Sequence, residues 1–294
     1  MKKLQGIFSA LLVPYNDDGR VNEEGLRQTI RHNIDQIQVD GLYVGGSTGE
    51  NFLIDTQTKK QIFQIAFEET KHEVQLIAQV GSTNLHEAIE LAQYVKQLGY
   101  TTISAVTPFY YKFSFPEVKA YYNALVDACD LDLVIYSIPF LTGVNINVQQ
   151  FGELYENPKI IGVKFTAADF YLLERLRQAF PNHLIFSGFD EMLLPAVVNG
   201  VDGAIGSTFN LKGDWAKKIF TLAQNNQIPE ALALQHRYND YVEDVLNNGL
   251  YQTLKELLAL HGVSGQTAVR APMAQLTDVQ KDQAKVIFNK YFSN

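Results

Sequence analysis

Eight short apolar runs recur along the chain, and their regular spacing limits the folds that the chain can adopt. Each run is rich in β-branched and aromatic residues, as buried β-strands are. The runs occupy residues 7–15, 41–50, 74–82, 101–111, 133–139, 160–167, 184–191 and 203–210. Successive runs start roughly 20 to 35 residues apart, which is the length of a strand followed by a helix.

The segments between the runs have helical periodicity, most clearly at 22–37, 56–71 and 84–99. In the last of these the apolar residues fall on one helical face, and Gly99 follows as a stop signal. Nearly all-apolar strands that alternate with such helices predict a parallel sheet covered by helices. Eight repeats predict an α/β protein with a closed (β/α)₈ barrel. A doubly wound open sheet is the alternative, because strand order cannot be read from one sequence.

The strand pattern stops before residue 212, and helical patterns continue to the end of the chain. Breaks occur near residues 225–226, 247–249 and 262–265. We therefore predict that residues 1–211 form the barrel. Residues 212–294 are predicted to form the last barrel helix and a helical extension packed on the barrel, not an independent domain, since no low-complexity linker separates the two parts.

Charge and composition exclude several classes of partner. The formal net charge of −8 and the pI near 5.3 disfavour nucleic acid or an anionic membrane surface, because both repel an acidic protein. Small molecules are therefore the predicted ligands. Gln5 and Gly6 interrupt the apolar opening of the chain, and the polar residues 16–19 follow where a cleavage site would be needed, so we predict neither a secretory signal nor a membrane span. Cys129 is the single cysteine, which predicts a buried thiol and is typical of the reducing cytoplasm.

Lys164 ends an apolar run, which is an unusual place for an ammonium group. In a barrel, the active site forms at the carboxyl ends of the strands. A lysine held there away from water could have its pKa lowered toward ~7 to 8, so that the neutral amine attacks a ketone and forms a Schiff base. The alternative is a buried lysine that pairs with a carboxylate or extends to the rim.

Other polar residues also follow predicted strands. Ser47 and Thr48 offer backbone N–H groups and hydroxyls to a small carboxylate, although an ordinary turn would have the same composition. Tyr136 could transfer a proton, or it could simply pack. Asp190 and Glu191 are suited to sugar hydroxyls, less so to a metal, and adjacent acidic residues also stabilise a helix N-terminus.

The histidines and the aromatic clusters carry less information. The six histidines show no paired ligand spacing, so we predict no metal site. The clusters at residues 109–111 and 121–122 lack interleaved basic residues, so core packing or a subunit contact is a better interpretation than nucleic-acid stacking.

Six motifs together resemble one family of enzymes. They are GSTGE (46–50), TPFYY (107–111), YSIP (136–139), GVKFTA (162–167), GFDE (188–191) and GAIGS (203–207). In order and spacing they resemble the pyruvate-dependent class I lyases of the N-acetylneuraminate lyase and dihydrodipicolinate synthase family. The resemblance implies that Lys164 forms a Schiff base with pyruvate and that Tyr136 relays a proton. It further implies that Ser47 and Thr48 hold the pyruvate carboxylate, and that Tyr110 crosses a subunit contact in a homotetramer.

The segment after Tyr136 separates the activities within this family. Dihydrodipicolinate synthases typically carry an arginine where this chain has Leu141, and leucine cannot bind a carboxylate. GFDE and GVKFTA resemble the sialic acid lyases, in which the hydroxyl-rich sugar chain would be bound by Thr166, Gly188, Asp190, Glu191 and Ser207.

The resemblance thus implies reversible cleavage of N-acetylneuraminate to N-acetylmannosamine and pyruvate, with no metal or organic cofactor. Three alternatives remain at this stage. The chain could be an aldolase for a keto-deoxy sugar acid, a dihydrodipicolinate synthase, which the leucine disfavours, or a catalytically silent sugar-binding or regulatory barrel.

Overall fold

The computed structural model describes residues 4–292, and its eight strands close into a barrel. The strands are β1 (Gly6–Ala10), β2 (Gly41–Val44), β3 (Gln75–Gln79), β4 (Thr102–Val106), β5 (Asp132–Ser137), β6 (Ile160–Phe165), β7 (Leu184–Ser187) and β8 (Gly203–Gly206). Every neighbouring pair is parallel, and β1 pairs with β8 from Gly6 opposite Gly203 to Ser9 opposite Gly206. The predicted (β/α)₈ barrel is therefore confirmed, and the open sheet is excluded.

Helices cover the outside of the barrel. They are α1 (Glu23–Arg31), α2 (Thr56–Thr70), α3 (Leu85–Leu98), α4 (Phe115–Cys129), α5 (Pro139–Thr142), α6 (Val148–Tyr155), α7 (Phe170–Ala179), α8 (Leu193–Val198), α9 (Phe209–Gln224), α10 (Ile228–Asn248), α11 (Leu250–Leu260) and α12 (Asp278–Phe292). Short polar side chains begin several of them: Asn22 accepts a hydrogen bond from the Gly25 amide (2.6 Å), and Asp55 accepts one from the Thr58 amide (2.7 Å). Gly99, at φ +108°, ends α3 as predicted.

Several predicted boundaries need correction, because most of the apolar runs extend past the ends of their strands. The segment 22–37 is not one α-helix, because α1 continues from His32 to Ile37 as a π-helix. The eighth run does not extend as a strand to residue 210, because β8 ends at Gly206 and α9 begins at Phe209. There the Thr208 amide and hydroxyl both donate to the Asp190 carboxylate, and this cross-link between neighbouring strand ends turns the chain out of the sheet.

The apolar residues form two cores, one inside the barrel and one between the barrel and the helices. The inner cluster includes Phe8, Tyr43, Tyr136 and Phe186, and the Phe8 and Phe186 rings meet edge to face at 5.4 Å between centroids. Alternate strand residues face outward, so Phe165 belongs to the outer core. Lys164, the next residue in the chain, therefore faces the barrel interior.

The C-terminal helices pack on one another and on the barrel. Helix α10 contacts α9 and α8, and α12 contacts both α10 and α11. The breaks after Gln224, Asn248 and Leu260 match the predicted ones. The predicted division after residue 211 falls inside α9, next to a kink at Lys212, and remains a prediction. No helix within residues 4–292 has the length and apolar character needed to cross a membrane.

Candidate active site

A cavity opens at the carboxyl ends of the strands, and nearly all of the predicted site residues line it. These are Ser47, Thr48, Tyr136, Lys164, Thr166, Gly188, Asp190, Glu191 and Ser207. They come from the ends of β2, β5, β6, β7 and β8, which are far apart in sequence and meet only because the sheet closes.

Lys164 lies in the wall of this cavity without a charged partner. Its position in β6 is paired with Tyr136 on β5 and Phe186 on β7, and its side chain is only 5% exposed. No carboxylate oxygen among residues 4–292 lies within ion-pair distance of its Nζ. Burial lowers the pKa of Lys164 to about 7, and the charge of Asp190 offsets only part of that effect. The neutral amine is therefore far more accessible near pH 7 than it is for an exposed lysine.

Two tyrosine rings flank the Lys164 amine. The Nζ atom lies 4.0 Å from the ring centroid of Tyr136 and 4.3 Å from that of Tyr43, and the two rings meet edge to face at 6.0 Å. Burial raises the pKa of Tyr136, while a hydrogen bond from the Ser47 hydroxyl acts in the opposite direction. In the free protein the Tyr136 phenol therefore keeps its proton.

Hydroxyl groups from two strand ends meet on one side of the cavity. The hydroxyl oxygens of Thr48, after β2, and Ser207, after β8, lie 2.7 Å apart and share a hydrogen bond. Ser47 and Thr48 belong to a single 3₁₀ turn in which the Glu50 amide donates to the Ser47 carbonyl at 2.9 Å. These hydroxyls line the same cavity as the Lys164 amine and can donate hydrogen bonds into it.

Asp190 is the buried carboxylate of the cavity. Its Oδ2 atom accepts hydrogen bonds from the Thr208 amide (2.9 Å) and the Thr208 hydroxyl (2.6 Å), and that hydroxyl lies 2.6 Å from the Tyr238 phenol. Burial raises the pKa of Asp190 to about 6, against the hydrogen bonds from Thr208 that lower it. Asp190 is therefore easier to protonate than an exposed aspartate, and its position is fixed by its neighbours.

Gly188 has a steric role in the cavity wall. A Cβ atom at this position would collide with the Thr166 hydroxyl. The absence of a side chain thus lets the ends of β6 and β7 approach each other, which holds Thr166 against the cavity.

Tyr110 is the one predicted site residue that lies outside the cavity. Its side chain is 84% exposed, its backbone adopts φ +78°, and its ring packs edge to face on Tyr111 at 5.1 Å. Within one chain it contacts neither the amine nor the other predicted residues. By contrast, Tyr121 and Tyr122 belong to the core.

Sequence reasoning missed three residues that the structure places at the site. Tyr43 is in the middle of a predicted strand and looked like an ordinary core aromatic residue. Thr208 lies near the end of the eighth predicted run, and that signal could have identified it. Tyr251 is on α11, whose distance in sequence gave no indication that it closes over the cavity. Burial, followed by the charges of Glu50 and Asp190, raises the pKa of Tyr251 to about 12.

A buried ion pair attaches α11 to the turn that carries Ser47. Glu50 and Lys255 pair with side chains that are 0% and 1% exposed. Glu50 also accepts a hydrogen bond from the Arg270 amide at 2.6 Å, and Lys255 donates to the Ala268 carbonyl at 2.8 Å. The charges and polar atoms of this pair are therefore satisfied by each other and by the backbone.

Replacing Lys255 with methionine is expected to destabilise the protein strongly. The change leaves the Glu50 carboxylate buried without its cation, which typically lowers the free energy of unfolding by about 3–5 kcal/mol. Urea unfolding measures this loss. Lys285→Met is the control, because Lys285 pairs with Asp282 on the exposed surface, and it should leave the urea midpoint unchanged. Equal losses in the two variants would contradict the assignment, and Glu50→Gln combined with Lys255→Met should recover part of the stability.

Comparison with known proteins agrees with this geometry. The model of the dihydrodipicolinate synthetase family matches residues 3–291. The chain belongs to this family. An N-acetylneuraminate lyase from Pasteurella multocida is 61% identical to this chain over 294 residues. The alignment covers all of both chains.

Two solved structures are similar to this member of the dihydrodipicolinate synthetase family along its whole length. CdNal from Clostridium difficile, in complex with mannosamine, is 62% identical with a TM-score of 0.98, covering 99% of this chain and 100% of that one. The N-acetylneuraminate lyase from Fusobacterium nucleatum complexed with pyruvate is 60% identical with a TM-score of 0.95, covering 99% and 98%.

Proposed function

We propose that this chain cleaves N-acetylneuraminate reversibly to N-acetylmannosamine and pyruvate through a Schiff base on Lys164. The observation that carries the proposal is a lysine buried at the carboxyl end of a barrel strand, with no carboxylate of residues 4–292 within ion-pair distance. Burial lowers the pKa of Lys164 to about 7. The similarity to N-acetylneuraminate lyases, and the mannosamine and pyruvate bound in two of the similar structures, support the substrate class.

The first step is condensation of the amine with the open-chain sugar acid. Neutral Nζ of Lys164 attacks the C2 ketone, water leaves, and the resulting imine takes up a proton to become an iminium. The hydroxyls of Ser47 and Thr48 bind the adjacent C1 carboxylate during this step. Holding both groups aligns the ketone with the amine, which accelerates the attack.

Carbon–carbon cleavage then uses the iminium as an electron sink. The C4 hydroxyl loses its proton, C4 becomes the aldehyde carbon of N-acetylmannosamine, and the C3–C4 electron pair moves toward the nitrogen to form an enamine. Tyr136 relays the proton, because the iminium beside its ring favours the phenolate and lowers the barrier to proton transfer. Protonation of the enamine at C3 and hydrolysis then release pyruvate and the neutral amine.

The sugar chain is assigned to the part of the cavity lined by Asp190, Glu191, Thr166 and the backbone of Gly188. Ser207 also lines the cavity and lies where this part meets the Thr48 hydroxyl. The carboxylate and hydroxyl oxygens of these residues match the hydroxyl groups of a sugar. Leu141 also lines the cavity and cannot form the charged contact that a synthase would make with a second carboxylate.

Replacing Asp190 with alanine is expected to impair the sugar substrate far more than pyruvate. Loss of a hydrogen bond to a charged group should lower kcat/KM for N-acetylneuraminate about 10- to 100-fold. The pyruvate concentration that gives half-maximal borohydride trapping should change much less. Thr208→Val is the matched variant, because it removes one hydrogen bond to Asp190 but keeps the carboxylate. It should lower kcat/KM less than Asp190→Ala does. Equal losses for sugar and pyruvate would rule out the sugar-binding role.

The direct test of the activity is pyruvate release from N-acetylneuraminate by the pure protein, with 2-keto-3-deoxygluconate as a parallel substrate. Release from N-acetylneuraminate alone supports the proposal. Preference for the keto-deoxy acid would assign a different aldolase activity, and no release from either would favour a non-catalytic barrel.

The oligomeric state and the compartment are proposals that extend this function. A homotetramer would cover the exposed rings of Tyr110 and Tyr111, which are 84% and 69% exposed, and would bring Tyr110 to the catalytic cavity of a neighbouring subunit. The buried free thiol of Cys129 suits the cytoplasm. Analytical ultracentrifugation should give the mass of four chains, and a monomer would contradict the assembly.

A further inference from the structure

The geometry around Lys164 points to a catalytic role for Tyr43: we propose that the face of its ring stabilises the iminium formed on the lysine nitrogen. This inference rests on the proposed Schiff-base function and assigns one further residue to it. The Lys164 Nζ atom lies over the Tyr43 ring, 4.3 Å from its centroid. That distance is within the range at which a cation is attracted to the negative face of an aromatic ring.

The site poses an electrostatic problem that such a ring can solve. Burial favours the neutral amine, which is the nucleophile, but condensation with a ketone takes up a proton, releases water and leaves a positive charge on the same nitrogen. Among the described residues no carboxylate pairs directly with this atom. Asp190 acts only as a nearby charge. A neutral aromatic face attracts the cation without adding a second base that could compete for protons.

Tyr43 is held rigidly in the position that this role requires. Its side chain is fully buried, and its hydroxyl donates to the Ser104 hydroxyl at 3.0 Å. The edge of the ring lies against Gly46, where a Cβ atom would lie 2.9 Å from the ring. The ring is therefore packed against the residue that precedes Ser47 and is anchored at its hydroxyl, which restricts its movement relative to the amine. Such preorganisation strengthens electrostatic stabilisation, because no reorganisation is needed when the charge develops.

Tyr136 also places its ring near the amine, at 4.0 Å, but its hydroxyl faces the cavity and is assigned to proton transfer. The Tyr43 hydroxyl is instead occupied by Ser104. The two residues thus have different roles. Both rings lie against the cation, while only the Tyr136 hydroxyl exchanges protons. This division makes the contribution of the Tyr43 ring separable by substitution.

The test compares Tyr43→Leu, which removes the ring, with Tyr43→Phe, which keeps the ring and removes the hydroxyl. The measurement is borohydride trapping of pyruvate on the full-length protein over a range of pyruvate concentrations and pH. In Tyr43→Leu the half-maximal pyruvate concentration should rise about 5- to 30-fold, since a buried cation–π contact is lost. In Tyr43→Phe the half-maximal pyruvate concentration should stay close to that of the unaltered protein. Tyr100→Leu is the control for a cavity, because Tyr100 is a buried tyrosine outside the site.

The pH dependence of trapping separates this role from a structural one. Without the ring the ammonium form of Lys164 is less stable, so the acid limb of trapping in Tyr43→Leu should move about 0.5 to 1 unit to lower pH. Loosened packing would instead admit water, which stabilises the ammonium form, and the acid limb would move to higher pH. A shift to higher pH, an unchanged pyruvate affinity in Tyr43→Leu, or an equal loss in Tyr43→Phe would overturn the inference. Absence of trapping in the unaltered protein would instead refute the proposed function.

Discussion

Lys164→Ala is expected to abolish pyruvate release from N-acetylneuraminate, with a fall in kcat of at least about 10⁴-fold, as for removal of other covalent nucleophiles. The reason is that alanine cannot form the iminium, so the C3–C4 electron pair has no acceptor. The fold should be retained, because Lys164 makes no ion pair within the described part of the chain, so no partner would be left buried. Steady-state kinetics measures the loss, and circular dichroism and the thermal midpoint establish that the protein is folded.

Two further variants make this result specific. Lys164→Arg keeps a cation in the cavity but cannot form an imine, so it should be as inactive as the alanine variant. Lys212→Met removes another buried lysine whose pKa burial lowers, but which donates to the Tyr291 carbonyl at 2.8 Å and does not line the cavity. It should keep the borohydride adduct with pyruvate. An adduct that persists in Lys164→Ala, or appreciable residual cleavage there, would refute the assigned nucleophile.

Tyr136→Phe is expected to lower kcat about 10²- to 10⁴-fold, which is the usual contribution of a positioned proton-transfer group. The substitution removes only a hydroxyl and keeps the ring that lies 4.0 Å from the Lys164 amine. Pyruvate trapping by borohydride should therefore remain close to normal while turnover falls. Comparing steady-state kcat with trapping at saturating pyruvate separates the two steps.

The control for Tyr136→Phe is Tyr100→Phe. Tyr100 is buried and its hydroxyl donates to the Phe63 carbonyl at 2.8 Å, but it does not line the cavity. This variant loses a buried hydrogen bond of ordinary strength, so it should lose some stability and keep its kcat. An unchanged kcat in Tyr136→Phe would exclude proton transfer through its hydroxyl, and an equal fall in both variants would attribute the effect to general loosening.

Much of the fold was predictable because its signals are local. The apolar runs, the helix start at Asn84 and the stop at Gly99 depend on residues that are adjacent or one helical turn apart. The barrel could be inferred from the number and spacing of those units. The continuation of α1 as a π-helix and the early end of β8 were missed, since packing and cross-links from other elements decide such details.

The residues of the candidate site were likewise predictable only in part. Lys164, Tyr136 and Asp190 could be singled out because each follows or ends a strand, and strand ends of a barrel face one region. Tyr43 could not, because an aromatic residue inside a strand has the same pattern whether it fills the core or faces a reacting atom. Its ring is identified only by its 4.3 Å distance from the amine.

The sequence by itself determined the succession of strands and helices, the residues at the strand ends and the chemistry that those residues can perform. Tertiary structure alone decided that Lys164 has no ionic partner among residues 4–292, that Tyr43 faces its nitrogen, and that Lys255 pairs with Glu50 across 205 residues of chain. The reason is physical. Periodicity and capping arise from interactions within a few residues, whereas burial, pKa and ion pairing depend on which distant groups the closed barrel brings together.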